Sequence, residues 1–207
     1  MQQYYDMKAE YQDAVLFFRM GDFYEMFDDD AHIAHKVLGI AITTRNKNAE
    51  KPTPLAGIPY HAKEKYLPQF IAAGYKVAIA EQVSDPKLKG IVKREVVRVV
   101  TPATLSLEGE GYDTSLDSNY IIYITESAGS YGISLLDIKT NDWKVGELAN
   151  FEALKTEMYK FAPKEVVLSK HLFSHEQISD ILAKKYALNI YYFDIPRKPR
   201  ETLLAHF

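Results

Sequence analysis

The sequence contains no cysteine among its 207 residues. This absence excludes disulfide bonds, cysteine-ligated zinc, iron–sulfur clusters and a thiol nucleophile. No apolar stretch approaches the roughly 20 residues that a membrane-spanning helix requires, and the N-terminus lacks the basic start and apolar run of a signal peptide. We therefore expect a cytoplasmic protein without a membrane partner.

A phosphate-binding loop is also absent, because no Gly-x-x-x-x-Gly-Lys-Ser/Thr motif that would bind ATP occurs in the sequence. The acidic run at residues 28–30 suggests a metal, but a capped helix N-terminus explains it more simply. His32 and His35 are spaced as on one helix face and lack supporting ligands. We predict no cofactor, no metal site and no enzymatic activity in this chain.

Positive charge is in slight deficit and unevenly distributed, with a formal net charge of −3. Residues 1–104 hold 14 basic against 13 acidic side chains, whereas residues 105–207 hold 11 against 15. A basic stripe at residues 86–98 sets five cations against Glu95: Lys87, Lys89, Lys93, Arg94 and Arg98. This stripe indicates either a solvated loop or a contact with a nucleic-acid backbone.

Hydrophobic periodicity predicts a mixed α/β first domain at residues 1–104. Its predicted elements are helix 2–12, strand 14–20, a helix from the acidic run to a stop at Gly39, strand 40–44, polar loop 45–54, helix 61–73 with a kink at Pro68, and strands 75–82 and 91–101. A polar, glycine-containing stretch without periodicity follows, and we interpret residues 105–118 as an interdomain linker.

The remaining residues, 119–207, predict a second α/β domain. Its predicted elements are strands 120–125, 131–138 and 142–147 joined as hairpins, helix 151–161, strand 165–168, helix 174–185 and strand 189–193. Three antiparallel strands followed by alternating helix and strand favour a ribonuclease-H-like sandwich. A helix begins at residues 201–207, so we expect this domain to be truncated at its C-terminus.

The most informative local pattern is Phe23-Tyr24-Glu25, which follows a Gly-Asp turn signal. If this segment is a strand, Phe23 and Glu25 lie on one face, because strand side chains alternate. A ring beside a carboxylate is suited to wedging between stacked bases and hydrogen-bonding to them. Tyr24 and Phe27 are interpreted as packing residues.

Four ordered blocks keep a consistent spacing in the first domain, at residues 17–27, 54–61, 77–82 and 96–102. With them, the first hundred positions closely resemble the N-terminal mismatch-sensing domain of the MutS family of DNA mismatch-repair proteins. The second domain looks like that family's connector domain in placement and strand pattern. Asn46 stands where the family commonly has glycine; asparagine tolerates positive φ, so we expect the turn to be kept.

The resemblance implies a non-catalytic module that binds mismatched or looped double-stranded DNA. Phe23 would stack on the mispaired base, Glu25 would hydrogen-bond to it, and the contacts that position the DNA would come from Arg45 and from the predicted loop at residues 54–57, with Pro54, Leu55 and Gly57. Lys87, Lys89, Lys93 and Arg94 are phosphate-contact candidates from charge alone. The full-length parent would be a homodimer that uses ATP and Mg through later domains, with a MutL-like partner at the connector.

Two other functions remain open at this stage. The chain could be a protein-interaction fragment, in which the connector binds a MutL-like partner and the first domain does not bind DNA independently. The ribonuclease-H-like domain could also be a nuclease, which needs clustered carboxylates for metals. Its first strand offers none, and Asp137 and Asp142 lie near a turn, which disfavours a nuclease.

Overall fold

A computed structural model describes residues 1–46, 51–84, 90–105, 118–174, 178, 182 and 189–193. The chain divides into two compact units, Met1–Tyr112 and Asp113–Phe207. The predicted linker lies almost wholly outside the described residues. In the part of the chain that the structure describes, no helix combines the length and apolar character needed to cross a membrane.

A six-stranded mixed sheet forms the first unit, in the order β3-β4-β2-β1-β5-β6. The strands are β1 (Ala14–Met20), β2 (Phe23–Phe27), β3 (Thr43–Arg45), β4 (Thr53–Pro59), β5 (Lys76–Gln82) and β6 (Arg94–Val100). The helices are α1 (Gln2–Glu10), α2 (Asp29–Leu38) and α3 (Lys63–Ala72). Only the central pair β1 and β5 is parallel among these strands; every other pairing is antiparallel.

The sheet is buried on both faces at its centre. In β1, Ala14 to Phe18 are all buried, as expected for the apolar run in a central strand. One face packs Phe17, Tyr24 and Met26 against α2 and α3. The other face packs Leu16, Phe18 and Phe27 around Tyr4 of α1. The first domain is therefore α/β, as the periodicity predicted.

Helix α2 follows the acidic run and ends at Gly39, whose left-handed φ of 67° confirms the predicted stop. The expected side-chain cap is wrong: Asp28 occupies the N-cap position, but within the described residues its side chain makes no capping bond. Asp30 is instead buried and accepts hydrogen bonds from Tyr4 Oη at 2.8 Å and the Leu16 backbone N–H at 3.0 Å. Lys8 Nζ lies 2.8 Å from the same carboxylate.

Three expected boundaries of the first domain need correction. Strand 40–44 is shorter and later, since β3 covers Thr43–Arg45. Pro54, Leu55 and Gly57, which were expected in a loop, belong to strand β4, which pairs with β2 and β3. Of the predicted polar loop 45–54, the last two residues also belong to β4, and residues 47–50 lie outside the described residues. The helix predicted from residue 61 begins as a short 3₁₀ turn at Tyr60–Ala62 before α3. Asn46 has a φ of 57°, so its expected turn is confirmed.

The second unit contains a five-stranded mixed sheet in the order β11-β10-β7-β8-β9. Its strands are β7 (Tyr120–Ser127), β8 (Ser130–Asp137), β9 (Asp142–Leu148), β10 (Glu165–Ser169) and β11 (Asn189–Phe193). Strands β7, β8 and β9 are consecutive antiparallel hairpins, whereas β10 pairs in parallel with both β7 and β11. This order confirms the ribonuclease-H-like arrangement.

Helices of the second unit cover one side of this sheet. Helix α4 (Phe151–Phe161) is capped by the Asn150 side chain, which accepts the Ala153 backbone N–H at 3.0 Å. A short helix α5 (Lys170–Phe173), which the sequence did not predict, follows β10 directly. Of the helix predicted at 174–185, Ile178 and Leu182 are described and pack against the core; most of it, and the segment 201–207, lie outside the described residues.

Candidate nucleic-acid interface

The β1–β2 hairpin presents an aromatic ring at its tip. Gly21 takes a φ of 59°, which glycine adopts without a steric penalty, and the chain returns with Met20 paired to Phe23. Phe23 is 48% exposed, although phenylalanine is usually buried. A tight turn on a buried strand pair therefore holds a large apolar side chain in contact with solvent.

Alternation along β2 separates the functional candidates from the packing residues. Tyr24 and Met26 are buried in the core under α2 and α3, whereas Phe27 is buried on the α1 side. Phe23 and Glu25 share the face of Phe27, because strand side chains alternate. The predicted common face for Phe23 and Glu25, and the packing roles of Tyr24 and Phe27, are confirmed.

Glu25 lies half-buried beside an arginine from the edge strand β3, two strands away in the sheet. Arg45 Nη1 is 3.3 Å from Glu25 Oε2 and 3.5 Å from Met20 Sδ. The Arg45 guanidinium also lies 5.7 Å from the centre of the Phe27 ring. Burial raises the pKa of Glu25 above its ordinary value, while Arg45 and Arg94 oppose that rise. The carboxyl group is thus more easily protonated than an exposed glutamate.

Gly57 faces Glu25 across the neighbouring strand. The β2–β4 register pairs Glu25 with Gly57 and Phe23 with Pro59. Gly57 is exposed and carries no side chain, so the space beside the carboxylate stays open on that side. Pro54 and Leu55 are half-buried in the same strand. The β4 candidates therefore flank Glu25 from regular structure.

Arg94, predicted to contact phosphate, is bound to the protein itself. Its Nε donates to the Arg19 carbonyl oxygen at 2.5 Å, and its Nη1 donates to the Val92 carbonyl oxygen at 2.8 Å. The guanidinium lies 5.1 Å from the Phe18 ring centre. Burial lowers the pKa of Arg94 below its ordinary value, and the nearby Glu25 opposes part of that change. Arg94 therefore contributes positive potential to the site from a fixed position.

The remaining members of the basic stripe are less constrained. Lys93 is exposed directly before β6, and its Nζ lies 2.5 Å from Glu95 Oε1. Lys87 and Lys89 lie outside the described residues. Arg98 donates to the Thr104 carbonyl oxygen at 3.1 Å. Of the described cations in this stripe, Lys93 alone pairs only with another exposed surface group, which leaves it the most accessible to an anionic ligand.

A cluster that the sequence did not reveal braces the hairpin from its other face. The Arg19 guanidinium stacks 3.6 Å from the Tyr60 ring centre, and its Nη1 is 3.6 Å from Glu81 Oε2. Tyr24 Oη donates to Glu81, and burial followed by this carboxylate raises the pKa of Tyr24. The Tyr60 backbone N–H donates to the Asp22 carbonyl oxygen at 2.9 Å. The turn is therefore tied to the end of β4.

Asp137 and Asp142, the two carboxylates considered for a nuclease, have protein partners of their own. Asp137 and Asp142 face each other across β8 and β9. Asp137 is buried and accepts backbone N–H groups of Asn119 at 3.3 Å and Lys139 at 2.9 Å, whereas Asp142 pairs with Lys144. Within the described residues, no three His, Cys, Asp or Glu side chains come together as metal ligands.

An exposed aromatic ring near cationic side chains is the combination with which proteins stack on nucleic-acid bases. Family comparison names the class more closely. Residues 1–109 match the model described as MutS domain I, and residues 119–204 match MutS domain II. The chain belongs to the MutS family.

Its relatives are similar over nearly the whole chain. It is 46% identical over 191 residues to the DNA mismatch repair protein MutS of Methanococcoides burtonii, which covers 88% of this chain and 21% of that protein. It is 43% identical to the MutS protein of Lachnoclostridium phytofermentans, covering 100% of this chain and 22% of that protein. The MutS protein of Streptococcus gordonii is 44% identical, with 91% and 22% covered. The chain thus spans about a fifth of these relatives.

Proposed function

We propose that this chain recognises mismatched or looped double-stranded DNA in mismatch repair. The observation that carries the proposal is Phe23, half-exposed at a rigid hairpin tip and two residues from the half-buried Glu25. It lies in the unit that matches MutS domain I, and the relatives are named as DNA mismatch repair proteins.

Weakened stacking is the property that different mismatches share. An apolar wedge inserted from the minor groove unstacks a base step and bends the duplex, and this costs less where pairing is already defective. Phe23 supplies the wedge and stacks on the mispaired base, which contributes about 1–3 kcal/mol. Selectivity follows because matched DNA pays the full cost of unstacking.

Glu25 restricts which DNA benefits from the wedge. An ionised carboxylate is repelled by phosphates, so it lowers general affinity for DNA. Burial raises the pKa of Glu25, which favours a protonated carboxyl that donates a hydrogen bond to a displaced base. Matched DNA, which keeps its bases stacked, offers no such acceptor, and the carboxylate then remains unfavourable.

Three further roles belong to this proposal. Lys93, Lys87 and Lys89 contact phosphates, and Pro54, Leu55 and Gly57 on β4 approach the minor groove beside the wedge. Arg94, which is bound to backbone carbonyl groups, acts through its fixed charge.

The complete protein is proposed to use ATP and Mg through domains outside this chain and to act as a homodimer.

A titration with two duplexes tests the proposal. We expect the chain to bind a fluorescent duplex with one G·T mismatch, or one unpaired nucleotide, more tightly than the same duplex with full pairing. NMR titration extends the measurement to dissociation constants of about 1 mM, corresponding to about −4 kcal/mol. Equal affinities for the mismatched and matched duplexes would contradict the proposal.

A second candidate function concerns the second unit. Strand β9 is an edge strand of the sheet, and its Trp143 and Val145 side chains are 69% and 72% exposed. An exposed apolar edge strand is a common docking surface for proteins. We propose that a MutL-like partner binds here. Trp143→Ser should weaken its binding without changing DNA affinity; unchanged binding of the partner would argue against this surface.

A further inference from the structure

The ion pair between Arg45 and Glu25 conflicts with the reading of a base by Glu25. Arg45 Nη1 lies 3.3 Å from Glu25 Oε2, against the carboxyl group that has to reach the displaced base. The same nitrogen also approaches Met20 Sδ, next to the hairpin tip. A base that takes a hydrogen bond from Glu25 therefore competes with Arg45 for this carboxyl group.

Arg45 is placed so that it can leave. It is the last residue of β3, a three-residue strand at the edge of the sheet, and its side chain remains 34% exposed. Its described contacts are the ion pair with the carboxylate, an approach to the Met20 sulfur at 3.5 Å and one to the Phe27 ring centre at 5.7 Å. Arg94, by contrast, is held by two backbone carbonyl groups and stays in place.

Among the residues that the structure describes, no strand places a further charge beside Glu25. The paired residues in β1 and β4 are Phe18 and Gly57, and the described charges that act on Glu25 are Arg45 from β3 and Arg94 from β6. Removing Arg45 leaves the carboxyl group with Arg94 alone. Arg45 therefore controls whether Glu25 faces DNA as a neutralised pair or as a free carboxyl group.

We propose that Arg45 is an exchangeable cation, which pairs with Glu25 in the free protein and on matched DNA and moves to a backbone phosphate when a displaced base takes its place at Glu25. This inference rests on the proposed function and deepens it. Guanidinium binds phosphate as readily as carboxylate, so the exchange keeps Arg45 paired. The free Glu25, with one cation fewer, then protonates and donates to the base.

A double-mutant cycle tests the exchange. The native chain, Arg45→Gln, Glu25→Gln and the double variant are each titrated with the G·T duplex and its matched counterpart. We expect Arg45→Gln to raise the ratio of mismatched to matched affinity by about threefold, within the range of partly exposed ion pairs, because matched DNA then meets an unneutralised carboxylate. In the Glu25→Gln background, Arg45→Gln should lower both affinities by the same factor.

Any other pattern overturns the exchange. An equal loss of affinity in both backgrounds makes Arg45 a simple phosphate contact, and a fall in the ratio makes it a base-reading residue. Lys36→Gln is the matched control, because it removes one exposed positive charge from α2, which packs on the opposite face. It should leave the ratio unchanged. If the native chain shows equal affinities, the proposed function fails and the exchange falls with it.

A second measurement needs no DNA. The carboxyl carbon of Glu25 is followed by NMR as the pH is changed, in the native chain, in Arg45→Gln and in Lys36→Gln. Loss of Arg45 should raise the pKa of Glu25, and Lys36→Gln should not. The amide spectrum shows in the same samples that each variant is folded. An unchanged Glu25 titration in Arg45→Gln would overturn the exchange, whatever the DNA measurements show.

Discussion

Two carboxylates of the first unit differ in what surrounds them. Asp30 is buried and accepts from the Tyr4 hydroxyl and the Leu16 backbone while pairing with Lys8. Glu25 is half-buried, and its ion-pair partner is the exchangeable Arg45. Asp30 lies in α2 and has its partners in α1 and β1, so it joins three elements. Glu25 faces an opening beside Gly57 and a half-exposed ring.

The contrast separates stability from recognition within one domain. Complete satisfaction of a buried carboxylate fixes the surrounding elements, since each lost partner leaves an unpaired polar group. Incomplete satisfaction leaves a group whose ionisation and partners can change when a ligand arrives. Substitutions at the two sites should therefore affect different measurements.

The largest effect is expected at Asp30. Asp30→Ala removes a buried carboxylate acceptor from the Leu16 N–H, the Tyr4 hydroxyl and Lys8, of which the last two keep only a backbone carbonyl oxygen. The loss should lower the free energy of unfolding of the first unit by about 3 kcal/mol. Urea unfolding followed by circular dichroism measures it. Asp29→Ala is the matched control, because Asp29 is exposed in the same helix turn and should cost about 0.5 kcal/mol or less. Equal losses of unfolding free energy in Asp30→Ala and Asp29→Ala would contradict the structural role of Asp30.

The next effect is expected at Phe23. Phe23→Ala should abolish the preference for a G·T duplex by removing about 1–3 kcal/mol of stacking, while the free energy of unfolding changes little because the ring is half-exposed. Fluorescence titration and urea unfolding measure the two quantities. Tyr159→Ala, which removes an 84% exposed ring from the second unit, should change neither. A preference that survives Phe23→Ala would assign the wedge elsewhere.

Glu25→Gln should change discrimination more than total affinity. Removal of the negative charge should strengthen binding to matched DNA, so the ratio of mismatched to matched affinity falls by about tenfold, or about 1.4 kcal/mol. Titrations in parallel with Asp30→Asn at the contrasting site provide the comparison. A variant that binds both duplexes more weakly by the same factor would contradict the discriminating role.

The same variant has a pH signature in stability. Burial raises the pKa of folded Glu25 above its unfolded value, so its favourable contribution to folding is full below the unfolded pKa and is lost as pH rises through the folded pKa. Glu25→Gln should therefore gain stability relative to the native chain at pH 7 and lose that gain at pH 4, as measured by urea unfolding. A gain that is independent of pH would contradict this assignment.

Lys93→Gln should have the smallest effect. Its ion pair with Glu95 is exposed on both sides, so stability should change by about 0.5 kcal/mol or less. Affinity for both duplexes should fall equally, and the slope of log K against log salt should drop by about one. Glu95→Gln, which removes the partner and keeps the lysine, should strengthen binding instead. An unequal loss for the two duplexes would move Lys93 into base reading.

Local patterns predicted much of the fold. The bounds of α4 and β11 agree with expectation because a capping Asn150 and a short run of β-branched and aromatic residues mark them. Strand β4 was missed, since Pro54, Gly57 and Pro59 are poor strand formers, and pairing with β2 on one side and β3 on the other overrides this preference. Long-range pairing of this kind leaves no signal in a single segment.

Only the part of the candidate site that depends on the alternation of side chains along one strand could be predicted. A shared face for Phe23 and Glu25 follows from two-residue spacing, and the β2 register confirms it. The Arg45–Glu25 pair and the Arg19–Tyr60 stack depend on the order of strands in the sheet, which the spacing of single residues does not contain. Arg94 looked like a surface charge because its two carbonyl partners belong to the backbone.

Gly57 separates what folding requires from what binding requires. Its φ lies outside the left-handed region, and a Cβ built on it would meet the Tyr24 carbonyl oxygen at 3.5 Å, an ordinary contact. The folded chain would accept alanine here, whereas a base beside Glu25 would meet the added methyl group. Any pressure to keep glycine at this position would therefore originate in the DNA rather than in the protein, and a library of folded variants would not detect it.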